Sequence, residues 1–386
     1  MKILPSGTRG TKGAVTSAKG FSANGVAAGI KKSGKIDLSL IVSEIPCPTA
    51  GVYTKNSVKA APLVLAEKYL KNNVAQAVIC NSGNANCFTG KKGYAVAVNT
   101  AKLIGKLLGI KAEDVIVAST GIIGKQLPFE KISSAALALV NGLAENKGRL
   151  AALGIMTTDL IEKEIAVEIT LDGKKIVIGG CAKGSGMIQP DMATMLCFIT
   201  TDASIDAKML KAALAYATDR SFNCITVDGC MSTNDMVSVM ANGFAGNKKI
   251  TSQNADFKIF TEALTYICTD LAKKIILDGE GATKFIEIKV AGGKNHEQAK
   301  RIALAIANSN LVKTAAYGSN PNWGRVAAAV GALGLGVTED NIKITFSSFV
   351  EKHIKINVFL KFGKASAIVY TSDLSHDYVD INAKYN

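Results

Sequence analysis

The sequence predicts an α/β fold. Segments with the apolar spacing of a helix alternate with short apolar or alternating segments typical of strands throughout the 386 residues. Hydrophobic residues make up 48% of the chain and charged residues 20%, a balance typical of packed globular proteins rather than of disordered chains. A chain of this length suits two domains or two intertwined lobes.

The first half of the chain supplies a clear strand–helix–strand pattern. Residues 74–80 are apolar apart from Gln76 and predict a strand, which we expect to end in a turn-rich loop at 81–86. Residues 93–108 carry apolar side chains at helical spacing and predict a helix. Residues 115–118 predict a short buried strand that ends at Ser119-Thr120-Gly121.

A predicted hairpin and further alternation follow. Residues 165–171 alternate between apolar and polar side chains, and Asp172-Gly173 predicts a tight turn into a strand at 176–178. Residues 195–200 are a β-prone run. The remaining elements are predicted helices at 207–218, 257–276 and 297–307, and predicted strands at 286–290, 342–346, 354–359 and 367–370.

Composition narrows the class of protein. The net charge is +14, but the lysines are scattered as singles and pairs, which predicts a solvated basic surface suited to anionic substrates and no nucleic-acid partner. No apolar stretch approaches the roughly 20 residues that span a bilayer, and the N-terminus lacks the apolar core of a signal peptide. We therefore expect a soluble, cytoplasmic protein with no membrane partner.

Cysteine and histidine positions predict no metal site and no cofactor. None of the eight cysteines forms a Cys-x-x-Cys pair, so we expect reduced and mostly buried thiols. The three histidines, His296, His353 and His376, are scattered, whereas a zinc site needs clustered ligands.

The segment 182–196 is the most distinctive part of the sequence. It contains Ala-Lys-Gly-Ser-Gly-Met-Ile-Gln-Pro-Asp-Met-Ala-Thr-Met-Leu, a glycine-rich loop that leads to Ala193-Thr194 at the head of the β-prone run. It lacks the glycine spacing of a phosphate-binding loop and the Gly-x-Ser-x-Gly of a nucleophile elbow. Taken by itself, the pattern leaves Thr194 open to a purely structural role at the start of a strand.

The same segment resembles the cleavage segment of the ornithine acetyltransferase (glutamate N-acetyltransferase) family. Eight other blocks resemble that family in the same order, so the resemblance covers essentially the full chain. These blocks are 25–31, 81–86, 119–124, 156–159, 228–235, 278–284, 318–325 and 373–376.

The resemblance implies a layered α/β sandwich that is made as a self-cleaving precursor. Cleavage between Ala193 and Thr194 would give an α chain of residues 1–193 and a β chain of residues 194–386, which begins with the nucleophile. The family also implies a heterotetramer of two α and two β chains.

The implied activity is acetyl transfer from N2-acetylornithine to glutamate by a ping-pong cycle in arginine biosynthesis. Thr194 would carry the acetyl group, and its free α-amine, with an ordinary pKa near 7.7–8.0, would take the hydroxyl proton. Thr120 and Gly121 are the implied oxyanion hole for the tetrahedral intermediates.

The implied substrate contacts are Thr157, Lys183, Thr194, Glu280 and Asn382. Lys183 would pair with the α-carboxylate of the acetylated substrates, and Glu280 would recognise a substrate amine. Two departures from the family pattern stand out. Residues 160–163 replace a Thr and a Pro-Lys, and the ending Asn382-Ala-Lys-Tyr-Asn lacks the usual terminal hydroxyl residue, so we expect that contact to be missing or supplied elsewhere.

Two other functions remain possible from the sequence. An amidohydrolase or aminopeptidase would use the same self-generated threonine with water as acceptor, and a basic binding protein would use the glycine-rich loop only as a turn. The sequence also leaves open whether acetyl-CoA serves as a second acetyl donor.

Overall fold

The computed structural model describes residues 9–11, 13–189 and 195–384. Within this part of the chain, two compact units are each built from discontinuous segments. Unit 1 takes its residues from 9–184, 195–222 and 231–271, and unit 2 from 185–189, 223–230 and 272–384. The number of units agrees with the two domains or lobes that the chain length predicts.

The described residues form fourteen strands and ten α-helices. The strands are β1 (Arg9–Thr11), β2 (Phe21–Val26), β3 (Leu38–Tyr53), β4 (Val74–Asn84), β5 (Val115–Ile122), β6 (Lys163–Leu171), β7 (Lys174–Lys183), β8 (Leu196–Thr201), β9 (Ile225–Thr226), β10 (Met236–Ala241), β11 (Phe285–Gly293), β12 (Ile342–Phe346), β13 (His353–Leu360) and β14 (Ala365–Ser372). The helices are α1 (Ala61–Tyr69), α2 (Gly90–Leu108), α3 (Phe129–Asn141), α4 (Gly148–Ile155), α5 (Ala207–Asp219), α6 (Ala255–Leu277), α7 (His296–Ala307), α8 (Asn310–Tyr317), α9 (Trp323–Gly331) and α10 (His376–Ala383).

Unit 1 is built on a nine-stranded mixed sheet within the described residues. Its strand order is β1-β6-β7-β8-β10-β3-β4-β5, with β2 paired to β3. The pairs β4–β5 and β8–β10 are parallel, and β7–β8 is antiparallel. The predicted hairpin turn joins β6 to β7, with φ of +49° at Asp172 and +69° at Gly173, as a two-residue turn between twisted strands requires.

Helices of unit 1 cover this sheet because their apolar faces match its strands. Helix α4 packs against β2 and β3, and α1 packs against β5. Helix α2 buries Ala97, Ala101 and Ile104, which share one face at helical spacing. It ends at Gly109, whose left-handed φ of +69° suits a residue without a Cβ.

Unit 2 contains a smaller five-stranded sheet with the order β12-β13-β11-β14-β9. Helix α7 packs on β11 and β14 through buried Ile302, Ala303 and Ile306. The helix begins after Asn295, whose side chain accepts a hydrogen bond from the backbone N–H of Gln298. The core of this unit therefore lies between α7 and the sheet.

The predicted α/β class is confirmed, with two local corrections. Residues 81–84 and Ser119-Thr120-Gly121, both predicted as turns, belong to the strands β4 and β5. They stay extended because the parallel pairing of these strands continues to Gly83 and Gly121. Seven of the eight cysteines are buried, as predicted, and Cys230 is exposed. Among the described helices, none has the length and apolar character needed to cross a bilayer.

Candidate active site

Strand β5 ends in unit 1 with two residues predicted to form an oxyanion hole. The side chain of Thr120 is buried, with 8% of its surface exposed. Gly121 pairs with Gly83 of the parallel strand β4. Its φ is +129°, and a Cβ built on it would lie 2.4 Å from the carbonyl carbon of Gly83. Glycine is therefore required at position 121 both by the backbone conformation and by the close approach of β4.

Lys183 lies at the end of β7 and contacts the same threonine. Its side chain is buried, and its ammonium donates a hydrogen bond of 3.4 Å to Oγ1 of Thr120. Since the lysine donates, the hydroxyl of Thr120 keeps its own proton for an acceptor. Two predicted site residues, 63 positions apart in the chain, thus lie in direct contact and combine a cation with a hydroxyl group.

A fully buried carboxylate, Asp159, organises the neighbouring backbone. One oxygen accepts hydrogen bonds of 2.7 Å from the ammonium of Lys163 and 2.7 Å from the N–H of Gly184. The other accepts a bond of 2.9 Å from the N–H of Thr157. The carboxylate therefore ties Thr157, a predicted substrate contact, to the loop that follows Lys183.

The charge of Asp159 is maintained by its cationic neighbours. Burial alone would raise the pKa of its carboxyl group, but Lys183 and Lys163, together with the hydrogen bonds, hold that pKa well below its usual range. Asp159 is thus ionised at neutral pH and balances part of the positive charge beside Thr120.

Asp235 lies beside the first described residue after the predicted cleavage point. It immediately precedes β10 and is almost fully buried. Burial raises the pKa of its carboxyl group well above the usual value, although the Ser232 and Thr54 hydroxyls and the N–H of Met195 act in the opposite direction. The shift favours a neutral carboxyl group next to Met195.

Unit 2 carries two further predicted substrate contacts, Glu280 and Asn382. The side-chain amide of Asn382, in α10, donates a hydrogen bond of 2.9 Å to Oε2 of Glu280. Glu280 in turn donates its backbone N–H to the carbonyl of Ser185 at 2.9 Å. Gly186 lies so close that a Cβ there would approach the Glu280 carboxylate to 2.1 Å. The structure thus brings Glu280 and Asn382 together.

The loop that contains Glu280 is held by the chain after β14. Asp373 accepts hydrogen bonds of 2.9 Å from the backbone N–H groups of both Thr283 and Lys284. The hydroxyl of Ser375 donates to the carbonyl of Gly281 at 2.6 Å. These contacts fix the position of Glu280 by way of its own loop.

The predicted site residues therefore fall into two groups. Thr120, Gly121, Thr157 and Lys183 belong to unit 1, whereas Glu280 and Asn382 belong to unit 2. Ala193 and Thr194, the predicted cleavage pair, lie outside the described residues.

Sequence reasoning missed Asp159 and Asp235. Each stands at an end of a block that carries the family resemblance, namely 156–159 or 228–235. These residues could have been predicted as part of the site, because each is a charged residue inside such a block that has no other assigned role.

Comparison with known proteins identifies the family. The model of the ArgJ family matches residues 22–386. The chain belongs to the ArgJ family. The arginine biosynthesis bifunctional protein ArgJ of Gloeobacter violaceus is 46% identical to it, and the alignment covers 97% of this chain and 98% of that protein. The protein of the same name from Bacillus thuringiensis subsp. konkukian is 45% identical, with 98% of each chain covered.

Among solved structures, an ornithine acetyltransferase from Mycobacterium tuberculosis, determined in complex with ornithine, is also similar. It is 39% identical with a TM-score of 0.46, and the match covers 48% of this chain and 100% of that chain. Membership of the ArgJ family confirms the resemblance on which the site residues were predicted. The chain is accordingly an acetyltransferase, and the alternative of a basic binding protein is wrong.

Proposed function

We propose that this chain is a self-cleaving acetyltransferase that moves the acetyl group of N-acetylornithine to glutamate in arginine biosynthesis. Membership of the ArgJ family supports the reaction. The observation that carries the site is the buried contact between Lys183 and Thr120, because it joins a cation and a hydroxyl donor where an acyl group and a carboxylate can be bound together.

The nucleophile in this proposal is made by cleavage between Ala193 and Thr194. Oγ of Thr194 attacks the Ala193 carbonyl carbon, the peptide C–N bond breaks, and the nitrogen takes a proton to become the α-amine. Water then hydrolyses the ester, which leaves a carboxylate on Ala193 and a free hydroxyl on Thr194. The products are an α chain of residues 1–193 and a β chain of residues 194–386.

Acetyl transfer follows in two displacements. The α-amine takes the proton of the Thr194 hydroxyl while Oγ attacks the acetyl carbon, and the proton passes to the departing nitrogen as ornithine leaves. The glutamate amine then attacks the acetyl ester, which regenerates the Thr194 hydroxyl. Thr120 and Gly121 donate hydrogen bonds to the oxyanion of both intermediates, where one such donor is worth about 3–4 kcal/mol.

The two charged groups of the substrate are bound by different residues of the site. Lys183 pairs with the α-carboxylate that both acetylated amino acids share, and Thr157 lines the same pocket. Glu280, oriented by Asn382, binds the side-chain ammonium of ornithine. We also propose a heterotetramer of two α and two β chains, a cytoplasmic location, and acetyl-CoA as a second donor. The word "bifunctional" in the name of the relatives supports a second activity.

The decisive experiment combines intact mass with a donor assay. The wild-type protein should give two fragments instead of the 40.3 kDa chain, and it should release more than one equivalent of ornithine per active site from N-acetylornithine only when glutamate is present. Thr194→Ala should remain uncut and lose turnover by about 1,000-fold or more, whereas Thr251→Ala, at an exposed position, should behave as wild type.

Two results would count against the proposal. Acetate release that does not depend on glutamate would favour the amidohydrolase or aminopeptidase alternative. Normal turnover by an uncut Thr194→Ala chain would exclude Thr194 as the nucleophile. Product formation from acetyl-CoA and glutamate tests the second donor separately.

A further inference from the structure

Residues 185–189 of unit 2, which we call the upstream segment, are held near both ends by backbone hydrogen bonds. The carbonyl of Ser185 accepts from the N–H of Glu280, as described above. The carbonyl of Ile188 accepts from the N–H of Val227 at 2.7 Å, and the N–H of Gln189 donates to the carbonyl of Cys230 at 3.0 Å. The segment ends four positions before Ala193.

The side chain of Asp228 accepts two further hydrogen bonds from the upstream segment. Oδ2 accepts from the N–H of Met187 at 2.6 Å, and Oδ1 accepts from the N–H of Ile188 at 2.9 Å. The hydroxyl of Tyr378 also donates to Oδ2, at 3.2 Å, and the N–H of Cys230 donates to Oδ1 at 3.1 Å. A carboxylate is suited to this position because both of its oxygens accept.

The backbone that Asp228 holds is strained. Met187 has a φ of +55°, in the left-handed region that residues other than glycine rarely adopt. The side chain of Met187 is exposed, so its own packing does little to stabilise this conformation. The two short hydrogen bonds to Asp228 therefore fix the backbone where it is least favourable.

We propose that Asp228 is a positioning residue for self-cleavage. This inference rests on the proposed function, in which Oγ of Thr194 attacks the carbonyl of Ala193. Such an attack requires the reacting atoms to be held about 3–3.5 Å apart in one orientation. By fixing the upstream segment, Asp228 fixes the point from which the chain continues toward the scissile bond, and this positioning role requires no contact with the reacting atoms.

The first test follows the rate of precursor cleavage in the full-length chain by intact mass. In Asp228→Asn, the amide nitrogen would face a backbone N–H, so we expect cleavage at least tenfold slower than in the wild type. Once cut, each Asp228→Asn chain should turn over within about threefold of the wild type. Asp202→Asn is the matched control, since Asp202 also accepts backbone N–H groups, at 2.8 and 3.3 Å, but in unit 1. It should cleave at the wild-type rate.

A second pair of variants tests the strained backbone without touching the carboxylate. Met187→Gly should cleave at least as fast as the wild type because glycine adopts a positive φ freely. Met187→Val should be slower because a β-branched residue resists it. Tyr378→Phe should leave the cleavage rate within about twofold, since the hydrogen bonds from Asp228 to the upstream segment remain.

The outcomes separate this inference from the proposed function. Wild-type cleavage in Asp228→Asn, or equal rates in both Met187 variants, would overturn the positioning role while leaving Thr194 as the nucleophile. A wild-type chain that stays uncut would instead refute the proposed function. If Asp228→Asn loses its thermal unfolding transition, the Met187 pair alone decides the matter.

Discussion

Each unit buries a lysine, but the two units balance that charge in different ways. In unit 1, Lys163 contacts Asp159 at 2.7 Å, and neither side chain is exposed. In unit 2, Lys313 is 3% exposed and donates to Oγ1 of Thr371 at 3.0 Å and to the carbonyl of Ser372. The first lysine has a direct ionic partner, whereas the second donates to the neutral oxygens of Thr371 and Ser372.

The stability of the two units therefore depends on pH in opposite ranges, acidic for unit 1 and basic for unit 2. The pKa of Asp159 is lowered in the folded state, so the stability that it contributes is present above its ordinary pKa of 3.8 and is lost as the pH falls. Burial lowers the pKa of Lys313 to about 8, although Asp373 and Asp228 act in the opposite direction. The stability of the region around Lys313 therefore rises as the pH goes above 8.

The largest effect that we expect comes from breaking the ion pair of unit 1. Asp159→Asn leaves the Lys163 ammonium buried without its counter-charge, which should lower the free energy of unfolding by about 3–5 kcal/mol. Urea titration at neutral pH measures this. Glu162→Gln is the matched control because its partner Arg149 is 68% exposed, and it should cost under about 1 kcal/mol. Equal losses in both variants would show that burial does not set the strength of these pairs.

An intermediate effect is expected at Lys313. Between pH 8 and pH 10.5 the unfolded chain holds the lysine proton and the folded chain releases it, so wild-type stability rises with pH. Relative to Lys313→Met, the free energy of unfolding of the wild type should rise by about 3 kcal/mol over this range. Urea titrations at several pH values would show it.

The control for this titration is Lys102→Met, at an exposed position of α2. Its difference from the wild type should stay constant over the same range. A constant difference for Lys313→Met as well would mean that the folded state keeps its proton there, and the contrast between the two units would disappear.

The smallest effect concerns the exposed contact of unit 2. Asn382→Ala removes the hydrogen bond to Glu280. Because position 382 is exposed, the loss of substrate-binding free energy should be about 1 kcal/mol. We expect KM for N-acetylornithine to rise about threefold to tenfold with kcat within twofold. Lys384→Ala, two residues further along, should leave both constants unchanged. A fall in kcat without a change in KM would argue that Asn382 acts on the chemical step.

The regular elements were predictable wherever a local period was strong. Helices α2, α5 and α7 and the β6–β7 hairpin follow directly from apolar spacing and from Asp172-Gly173. Strand β3 was not predicted, because Pro46 and Pro48 within it are strand-breaking signals. The structure accommodates Pro46 where the pairing with β4 shifts register between Val42 and Cys47, and Pro48 pairs with Val74 at the start of β4.

The site was predictable only as far as the family resemblance reached. Thr120, Gly121, Lys183, Glu280 and Asn382 came from motifs. The carboxylates of Asp159 and Asp228 did not, because each also binds a backbone N–H group that is distant in sequence. Asp159 binds a partner 25 residues away, and Asp228 binds one 41 residues away. Side chains that serve remote backbone atoms leave no local periodicity or motif.

The order of strands in unit 1 has a consequence for the reversibility of unfolding. The neighbours β7 and β8 precede and follow the predicted cut, yet they pair from Ile178↔Thr201 to Lys183↔Leu196 in the middle of one sheet. A cut chain keeps this ladder but loses the tether that brought the strands together. Unfolding of the precursor is a unimolecular equilibrium, whereas refolding of the cut protein is a second-order encounter of two polypeptides whose yield depends on concentration. Cleavage would thus make unfolding difficult to reverse, since a sheet that first folded from one chain would have to reassemble from two.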